Sequence, residues 1–296
     1  MIIVDITHKL NEELKPRIRE VTYSLYLLSR NPLSIAGLAI TLLIFVAALF
    51  APQVSPYDPL RQNVSERLQA PSWNHLFGTD EYGRDVFSRV LYGARVSLTA
   101  GLLVIFMTVS IGIVTGILAG YLGGKIDNVL MGITDMFFAF PYLLLAIAIA
   151  AALGPSLIHA MVAITVAWWP VYARLVRGLT FSVKENLYVE AARSIGATDP
   201  YIMLHHILPN IMSSIIITAT MDLGVAIIVT ADLSFLGIGA QPPMAELGAM
   251  VTGGRAYIMN AWWIAAFPGL AILLAVLGFN LLGDALRDIF DPRLRR

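Results

Sequence analysis

The side chains able to act as nucleophile, base, acid or metal ligand are few in this sequence and are scattered. Asp222, Ser234 and His159 have suitable chemistry, but they fall at different depths of long apolar runs and form no recognisable catalytic motif. His205 and His206 are neighbours, so on a helix they would point about 100° apart, a poor arrangement for holding one metal ion. The pattern predicts no catalytic residue and no metal site, and it disfavours a membrane-embedded enzyme.

The composition is that of a membrane protein. Of the 296 residues, 57% are hydrophobic and 14% are charged, and the mean hydropathy is +0.74. Soluble globular proteins carry roughly 25% charged residues. The net charge is zero and no basic cluster stands out, so nothing indicates nucleic-acid binding. The absence of Cys removes disulfides and Cys-ligated metals, and it leaves the redox compartment open.

Six apolar runs are long enough to cross a membrane, which takes about 20 residues. The run over 136–173 lacks Asp, Glu, Lys and Arg and can hold two helices, with Gly154-Pro155 as the turn between them. We expect an all-α integral membrane protein of about six transmembrane helices. The predicted spans are 33–51, 96–122, 129–153, 157–173, 211–237 and 262–283.

The distribution of Lys and Arg predicts how these spans are oriented. With both termini in the cytoplasm, the inside segments carry fourteen Lys and Arg and the outside segments five, with Arg95 at a boundary. Cytoplasmic segments of membrane proteins carry such an excess. We therefore expect a multi-pass protein of the cell membrane with cytoplasmic termini, and Trp262-Trp263 at the outer interface.

The chain divides accordingly into five parts. The first apolar run begins only at Leu33, so we expect no cleavable signal peptide. The parts are a cytoplasmic segment (1–32), a first transmembrane helix (33–51), an extracytoplasmic segment (52–95), a core of five transmembrane helices that includes a cytoplasmic loop at 182–210 (96–286), and a cytoplasmic tail (287–296).

The 182–210 loop has strong signals for local structure. Ser182 and Glu185 match a capping box, which predicts a helix from Val183 to Ile195. Gly196 suits the left-handed position that ends many helices.

A second helix is expected at Asp199, as N-cap, with Pro200 at the first helical position. It should end or kink by Pro209, which cannot donate a backbone hydrogen bond. Some apolar residues of the first helix fall on one side, where two alanines leave room for another protein's backbone. This pattern fits either a docking surface or a linker helix lying on its own membrane domain. The residues on that side are Leu187, Tyr188, Ala191, Ala192 and Ile195.

Three short elements lie at fixed spacing along this loop, namely Glu190-Ala191-Ala192, Gly196 and Leu208-Pro209. In this spacing the chain resembles the inner-membrane permease subunits of binding-protein-dependent ABC importers. Their signature is Glu-Ala-Ala, three residues, Gly, nine residues, Ile, any residue, Leu and Pro. The matching residues are Glu190, Ala191, Ala192, Gly196, Leu208 and Pro209, with His206 in place of the Ile.

The His-Ile-Leu-Pro-Asn ending is similar to the branch of these importers that serves dipeptides, oligopeptides and nickel. Two positions depart from that branch, because Thr230 stands where Glu is common and Leu247 where Trp is common. Further motifs of the branch are Gly78-Thr79-Asp80, Gly83-Arg84-Asp85, Tyr92-Gly93-Ala94-Arg95, Leu233-Ser234-Phe235-Leu236-Gly237, Gln241-Pro242-Pro243 and Asn280-Leu281-Leu282-Gly283-Asp284.

The resemblance implies that the helix around 190–195 is a coupling helix that docks on an ATP-binding subunit. It implies as partners a second homologous permease subunit, two ATP-binding subunits or domains, an extracytoplasmic solute-binding protein and membrane lipid. ATP and Mg would belong to the partner subunits. The chain itself has no Walker A motif, and its nearest approach, Gly123-Gly124-Lys125, lacks the first Gly and the final Ser or Thr.

The cargo implied by the resemblance is a di- or oligopeptide, with nickel or oligosaccharides as alternatives. The branch also suggests a heterodimer of permeases, and a homodimer stays open. An ATP-independent secondary transporter is a weaker alternative, because such proteins show two matching inverted halves and this chain does not.

Charged residues in the spans need protein or water around them, because a charge at the bilayer centre costs about 2.5–3.5 kcal/mol. Asp222 lies twelve residues into the fifth span, about 18 Å along a helix, near the midplane. It is the candidate for the translocation pathway, and an interhelical hydrogen bond or burial in protonated form is the structural alternative. Asp135 is expected to pair with Arg174, and Asp232 to lie nearer the outside.

Four charged residues before the second span are spaced so that they can pair on a helix surface. They are expected either to form a solvated face or to contact a partner protein. These residues are Asp80, Arg84, Asp85 and Arg89.

Overall fold

The computed structural model describes residues 31–290, and within them the fold is almost entirely helical. Single turns occur at Ala51–Val54 and Val64–Glu66. The longer helices are α1 (Pro32–Leu49), α2 (Val86–Leu122), α3 (Gly124–Phe138), α4 (Tyr142–Leu153), α5 (Leu157–Lys184), α6 (Leu187–Ser194), α7 (Asp199–Phe235), α8 (Leu247–Arg255) and α9 (Trp263–Phe290). Of the predicted cytoplasmic segments 1–32 and 287–296, residues 1–30 and 291–296 lie outside the described residues.

Four helices within 31–290, namely α1, α2, α7 and α9, are long and apolar enough to cross a membrane. The pair α3 and α4 is a fifth candidate, but it bends by 84°. The predicted span over 129–153 is therefore broken, because Pro141 disfavours helix at the residue before it. The fourth predicted span, 157–173, corresponds to α5, whose 28 residues are long enough but include Trp, Tyr and Arg side chains. The predicted turn is present, with φ of +89° at Gly154.

Helices α2 and α5 pack with their backbones unusually close. A Cβ atom on Gly116 would lie 2.6 Å from the carbonyl oxygen of Ala173 and 2.6 Å from Cβ of Val176. Gly112 and Gly120 meet α5 in the same way, one turn to either side. Small residues at such spacing let membrane helices approach closely, where van der Waals contact replaces the hydrophobic effect as the main attraction.

The buried apolar residues form three clusters along the length of the molecule. The largest joins α2, α4, α5, α7 and α9 in the middle. A second lies where α2 and α5 meet the 182–210 loop, and we call it the loop-end cluster; it includes Tyr121, Val189, Ala192, Ile202 and Ile207. The third joins the start of α2 to α8 and α9 at the opposite end.

The four charged residues at the start of α2 and just before it (Asp80, Arg84, Asp85 and Arg89) are buried, so the expectation of a solvated helix face is wrong. The residues between α1 and α2 fold over the start of α2 and exclude water from this group. Arg84 Nε lies 2.6 Å from Asp80 Oδ2, and Arg89 Nη1 donates to the carbonyl of Pro59 at 2.9 Å. Asp85 caps α2 by accepting from Ser88 N at 2.7 Å.

Candidate functional site

The 182–210 loop begins later than the sequence predicts. Helix α5 continues through Ser182 to Lys184, so the predicted capping box is wrong, and Asn186 precedes α6. Packing of α5 against α2 overrides the local capping signal, as tertiary contacts often do. The Lys184 ammonium donates to the carbonyl of Gly120 at 3.0 Å and so holds the end of α5 against the end of α2.

Gly196 occupies the position that the sequence predicts for it. Its φ is +88°, in the left-handed region that residues with a Cβ rarely adopt. The Ala197 N–H reaches back to the carbonyl of Ala192 at 3.1 Å, and the Gly196 N–H to that of Arg193 at 3.0 Å. These bonds end α6 as in a Schellman motif and turn the chain sharply toward α7.

The start of α7 differs from the prediction in two respects. Thr198 is the N-cap and Asp199 the first helical residue, one position earlier than expected. The predicted end at Pro209 also does not occur, because residues Met203–Ile207 widen into a π-helical turn and the chain then continues as α-helix. A kink there, the alternative outcome, stays a prediction. Such a turn changes the register of backbone bonds just where Pro209 has no N–H to offer.

One side of α6 is held against the membrane domain and the other is exposed. Val189 and Ala192 are buried in the loop-end cluster, with exposed fractions of 1% and 6%. Leu187 and Ile195 are 81% and 86% exposed. The exposed apolar patch, as we call it, consists of Leu187, Tyr188, Ala191 and Ile195.

The predicted site residues thus do not all lie on the same side of the loop. Ala191 faces outward while Ala192 faces inward, although the sequence places both on one face. Glu190 and Gly196 are exposed beside the exposed apolar patch. Leu208 is half-buried against the loop-end cluster, and Pro209 is exposed at the base of α7.

A tyrosine that sequence analysis did not single out connects the loop to α2. The hydroxyl of Tyr121 donates to Asp199 Oδ1 at 2.7 Å and accepts from Arg193 Nη2 at 3.2 Å. The latter hydrogen bond raises the pKa of the Arg193 guanidinium. No local pattern signals this connection, because more than seventy residues separate Tyr121 from its partners.

Asp222, the pathway candidate, takes part in a hydrogen bond between α5 and α7. The hydroxyl of Tyr172 donates to Asp222 Oδ2 at 2.7 Å, and Tyr172 is fully buried while Asp222 is half-buried. Asp232 is exposed. The predicted pair of Asp135 and Arg174 is present at 2.6 Å.

A buried carboxylate at the opposite end was also missed by the sequence analysis. Glu246 is fully buried and accepts from Ser97 Oγ at 2.9 Å and from the backbone N–H of Ala249 at 2.8 Å. It caps α8 and ties it to α2, a structural use of charge at a helix N-terminus.

Comparison with known proteins identifies the family. Residues 112–296, which include the 182–210 loop and Asp222, match the model of the binding-protein-dependent transport system inner membrane component. The chain belongs to this family. Residues 24–71 also match the N-terminal transmembrane domain of oligopeptide transport permease C. The predicted family is confirmed, and the chain is a multi-pass membrane permease.

Similar proteins are bacterial transport permeases. A probable D,D-dipeptide transport system permease of Escherichia coli K12 is 45% identical to this permease over 90% of either chain. A dipeptide transport system permease of Alkalihalophilus pseudofirmus is 45% identical over 90% of this chain and 88% of that protein. A glutathione transport system permease of Pectobacterium atrosepticum is 48% identical over 88% and 86% of the two chains.

The fold resembles that of a chain in the MetNI methionine ABC transporter, solved in inward-facing conformations. The TM-score is 0.56 and the identity 21%, over 69% of this permease and 98% of that chain. This likeness, together with the helical architecture, confirms the predicted fold class.

Proposed function

We propose that this permease is the transmembrane subunit of an ATP-driven importer and forms the pathway for di- or oligopeptides delivered by a solute-binding protein. It would pair with a second homologous permease and with two ATP-binding subunits or domains. ATP and Mg would be bound by those partners, and the permease would hydrolyse nothing itself. Each of these partners is expected because the chain belongs to a binding-protein-dependent transport system.

The observation that carries this proposal is the arrangement of α6. A linker helix lying on its own membrane domain would bury its apolar residues there, whereas the exposed apolar patch faces away from that domain. The opposite side of α6 is meanwhile fixed by Val189 and Ala192 in the loop-end cluster. A rigidly backed helix with an apolar outer surface suits docking in the groove of another protein.

The orientation of the permease supports the same role. The positive-inside bias favours cytoplasmic termini and a cytoplasmic 182–210 loop, on the side of the membrane where ATP is available. Trp262, which is exposed, would then lie at the outer interface, where aromatic side chains are enriched.

Peptides are the cargo that the relatives favour, since the names of the similar permeases specify dipeptides, D,D-dipeptides and glutathione. All three are small peptides with an ionised backbone terminus. Nickel complexes and oligosaccharides are the alternatives within the same type of importer. Asp222, half-buried near the middle of α7, is the residue we propose to face the pathway.

The test is a pull-down of the tagged permease from detergent-solubilised membranes that contain the whole transport system. Wild-type permease should recover an ATP-binding protein. Ala191→Arg should lose it, because the new side chain places a charge and extra volume in the exposed apolar patch. Ala256→Arg serves as the matched control, since Ala256 is also exposed but lies next to α8 at the opposite end of the molecule.

The outcomes separate the candidate functions. An ATP-binding protein recovered with wild type and Ala256→Arg but lost with Ala191→Arg supports the importer and its docking site. Recovery with all three contradicts the docking site. Failure to recover an ATP-binding protein with any of them favours a secondary transporter instead.

A further inference from the structure

The end of α2 is joined to the 182–210 loop by one side chain that bonds to both helices of the loop. Tyr121 is the penultimate residue of α2, and its hydroxyl bonds to Arg193 on α6 and to Asp199 at the start of α7. Gly196 lies between these two partners, so the tyrosine spans the turn from one helix to the other. A phenol hydroxyl is suited to this position because it donates and accepts at once.

The ring of Tyr121 adds packing to these hydrogen bonds. It belongs to the loop-end cluster with Val189 and Ala192 of α6 and Ile202 of α7, and it is only 7% exposed. The guanidinium of Arg193 also lies 5.5 Å from the ring centroid, within the range of a cation–π interaction. Burial keeps the ring in place and presents its hydroxyl to the loop.

The residue before Tyr121 fixes the other side of the loop. Lys184, at the end of α5, donates to the carbonyl of Gly120. The last turn of α2 therefore contacts the chain on entry to the loop and again across its central turn. Because α2 is a continuous helix of 37 residues, a displacement of its last turn is carried along its whole length.

We propose that Tyr121 is a positioning residue that couples displacement of α6 to movement of α2. The inference rests on the proposed function, in which an ATP-binding subunit docks on α6 and moves it. Rigid helices that shift as bodies are a common means of such transmission. The exposed apolar patch receives the displacement, and the Tyr121 hydroxyl passes it to the membrane helices.

The first test needs no partner and no cargo. Amide hydrogen exchange over residues 187–202 is measured on the full permease in detergent, for wild type and Tyr121→Phe. The variant keeps the ring and loses both hydrogen bonds, so exchange in this segment should become faster. Tyr257→Phe is the control, because within residues 31–290 its hydroxyl makes no hydrogen bond. Unchanged exchange in Tyr121→Phe overturns the proposed connection.

The second test measures coupling in the assembled transporter. The complex is reconstituted in liposomes with its binding protein, and uptake of tritiated dialanine is divided by ATP hydrolysed. For Tyr121→Phe we expect this ratio to fall about fivefold or more, the lower end of ordinary coupling between sites, while ATP hydrolysis persists. A ratio equal to that of wild type, or an equal fall in Tyr257→Phe, overturns the role in coupling.

A double-mutant cycle identifies the bond concerned. Asp199→Ala removes the acceptor, and combined with Tyr121→Phe it should lower the ratio no further, since both changes break one interaction. If the double variant instead lowers the ratio by the product of the two single-variant factors, the assignment to Asp199 is overturned. If Tyr121→Phe does not assemble, Asp199→Ala alone carries the test, because it removes the acceptor of the same bond and leaves the ring intact. If the wild-type complex hydrolyses no ATP, the proposed function is contradicted. The hydrogen-exchange measurement then still tests whether Tyr121 connects α2 to the 182–210 loop.

Discussion

The hydrogen bond between Tyr172 and Asp222 allows a structural and a transport role of the same carboxylate to be distinguished. Tyr172 is fully buried, and its hydroxyl donates to Asp222 at 2.7 Å. A buried hydroxyl that loses its partner costs about 1–3 kcal/mol. Asn at position 222 can still accept this bond, whereas Ala cannot.

We therefore expect Asp222→Ala to lower the unfolding temperature of the permease in detergent, and Asp222→Asn to change it little. If Asp222 faces the pathway, the Asn variant should nevertheless transport peptides more slowly in liposomes, since it has lost the charge. Normal uptake rate and unchanged cargo preference in both variants would contradict the pathway role. Equal unfolding temperatures in Ala and Asn variants would contradict the structural one.

Single residues with a local signal were predictable, and those with distant partners were not. Gly196 stands out because a turn follows a helical pattern, and the structure gives it positive φ as expected. Tyr121 and Glu246 reach partners more than seventy residues away, and no spacing rule covers such pairs. The charges near Arg84 were correctly expected to pair, but their burial depends on how the chain folds over α2.

Two glycines of α2 and α5 differ in role, because one lies at the contact between the helices and the other does not. Gly116 faces α5, where a Cβ would meet the backbone at 2.6 Å, while a Cβ on Gly178 of α5 would meet nothing within 4 Å. The same substitution should therefore have opposite effects at the two positions.

Gly116→Ala should destabilise the permease by about 1–3 kcal/mol, since overpacking forces the helices apart. Gly178→Ala should leave it unchanged or stabilise it by about 0.5–1 kcal/mol, because Ala favours helix over Gly. Unfolding temperatures of the isolated permease in detergent give the comparison. A lower value for Gly178→Ala than for Gly116→Ala would mean that close approach does not hold this pair together.

Helices as elements were predicted better than their ends. All six apolar runs correspond to helices, because length and hydropathy depend on many residues at once. The capping box at Ser182 failed because packing on α2 outweighs a cap worth about 1 kcal/mol. The break before Pro141 and the π-helical turn before Pro209 follow from prolines that the sequence displays, but the sequence does not say whether a helix bends, stops or changes register.

The orientation of the whole molecule follows from one argument, the excess of Lys and Arg on one side of the predicted spans. The natural absence of Cys makes this argument directly testable, because any introduced Cys is then the only thiol. Two exposed positions lie on opposite sides in the predicted orientation. Glu185 directly follows α5 within the 182–210 loop, outside the exposed apolar patch, and Met259 is 90% exposed between α8 and α9.

We expect Met259→Cys to react with a membrane-impermeant maleimide in intact cells, and Glu185→Cys to react only after the membrane is opened. The reason is that positively charged segments are retained in the cytoplasm, and fourteen of the Lys and Arg lie on the side of Glu185. Inside-out vesicles should reverse the result and serve as the control for reactivity. Labelling of Glu185→Cys in intact cells would reverse the orientation and remove the exposed apolar patch from the reach of any cytoplasmic ATP-binding subunit.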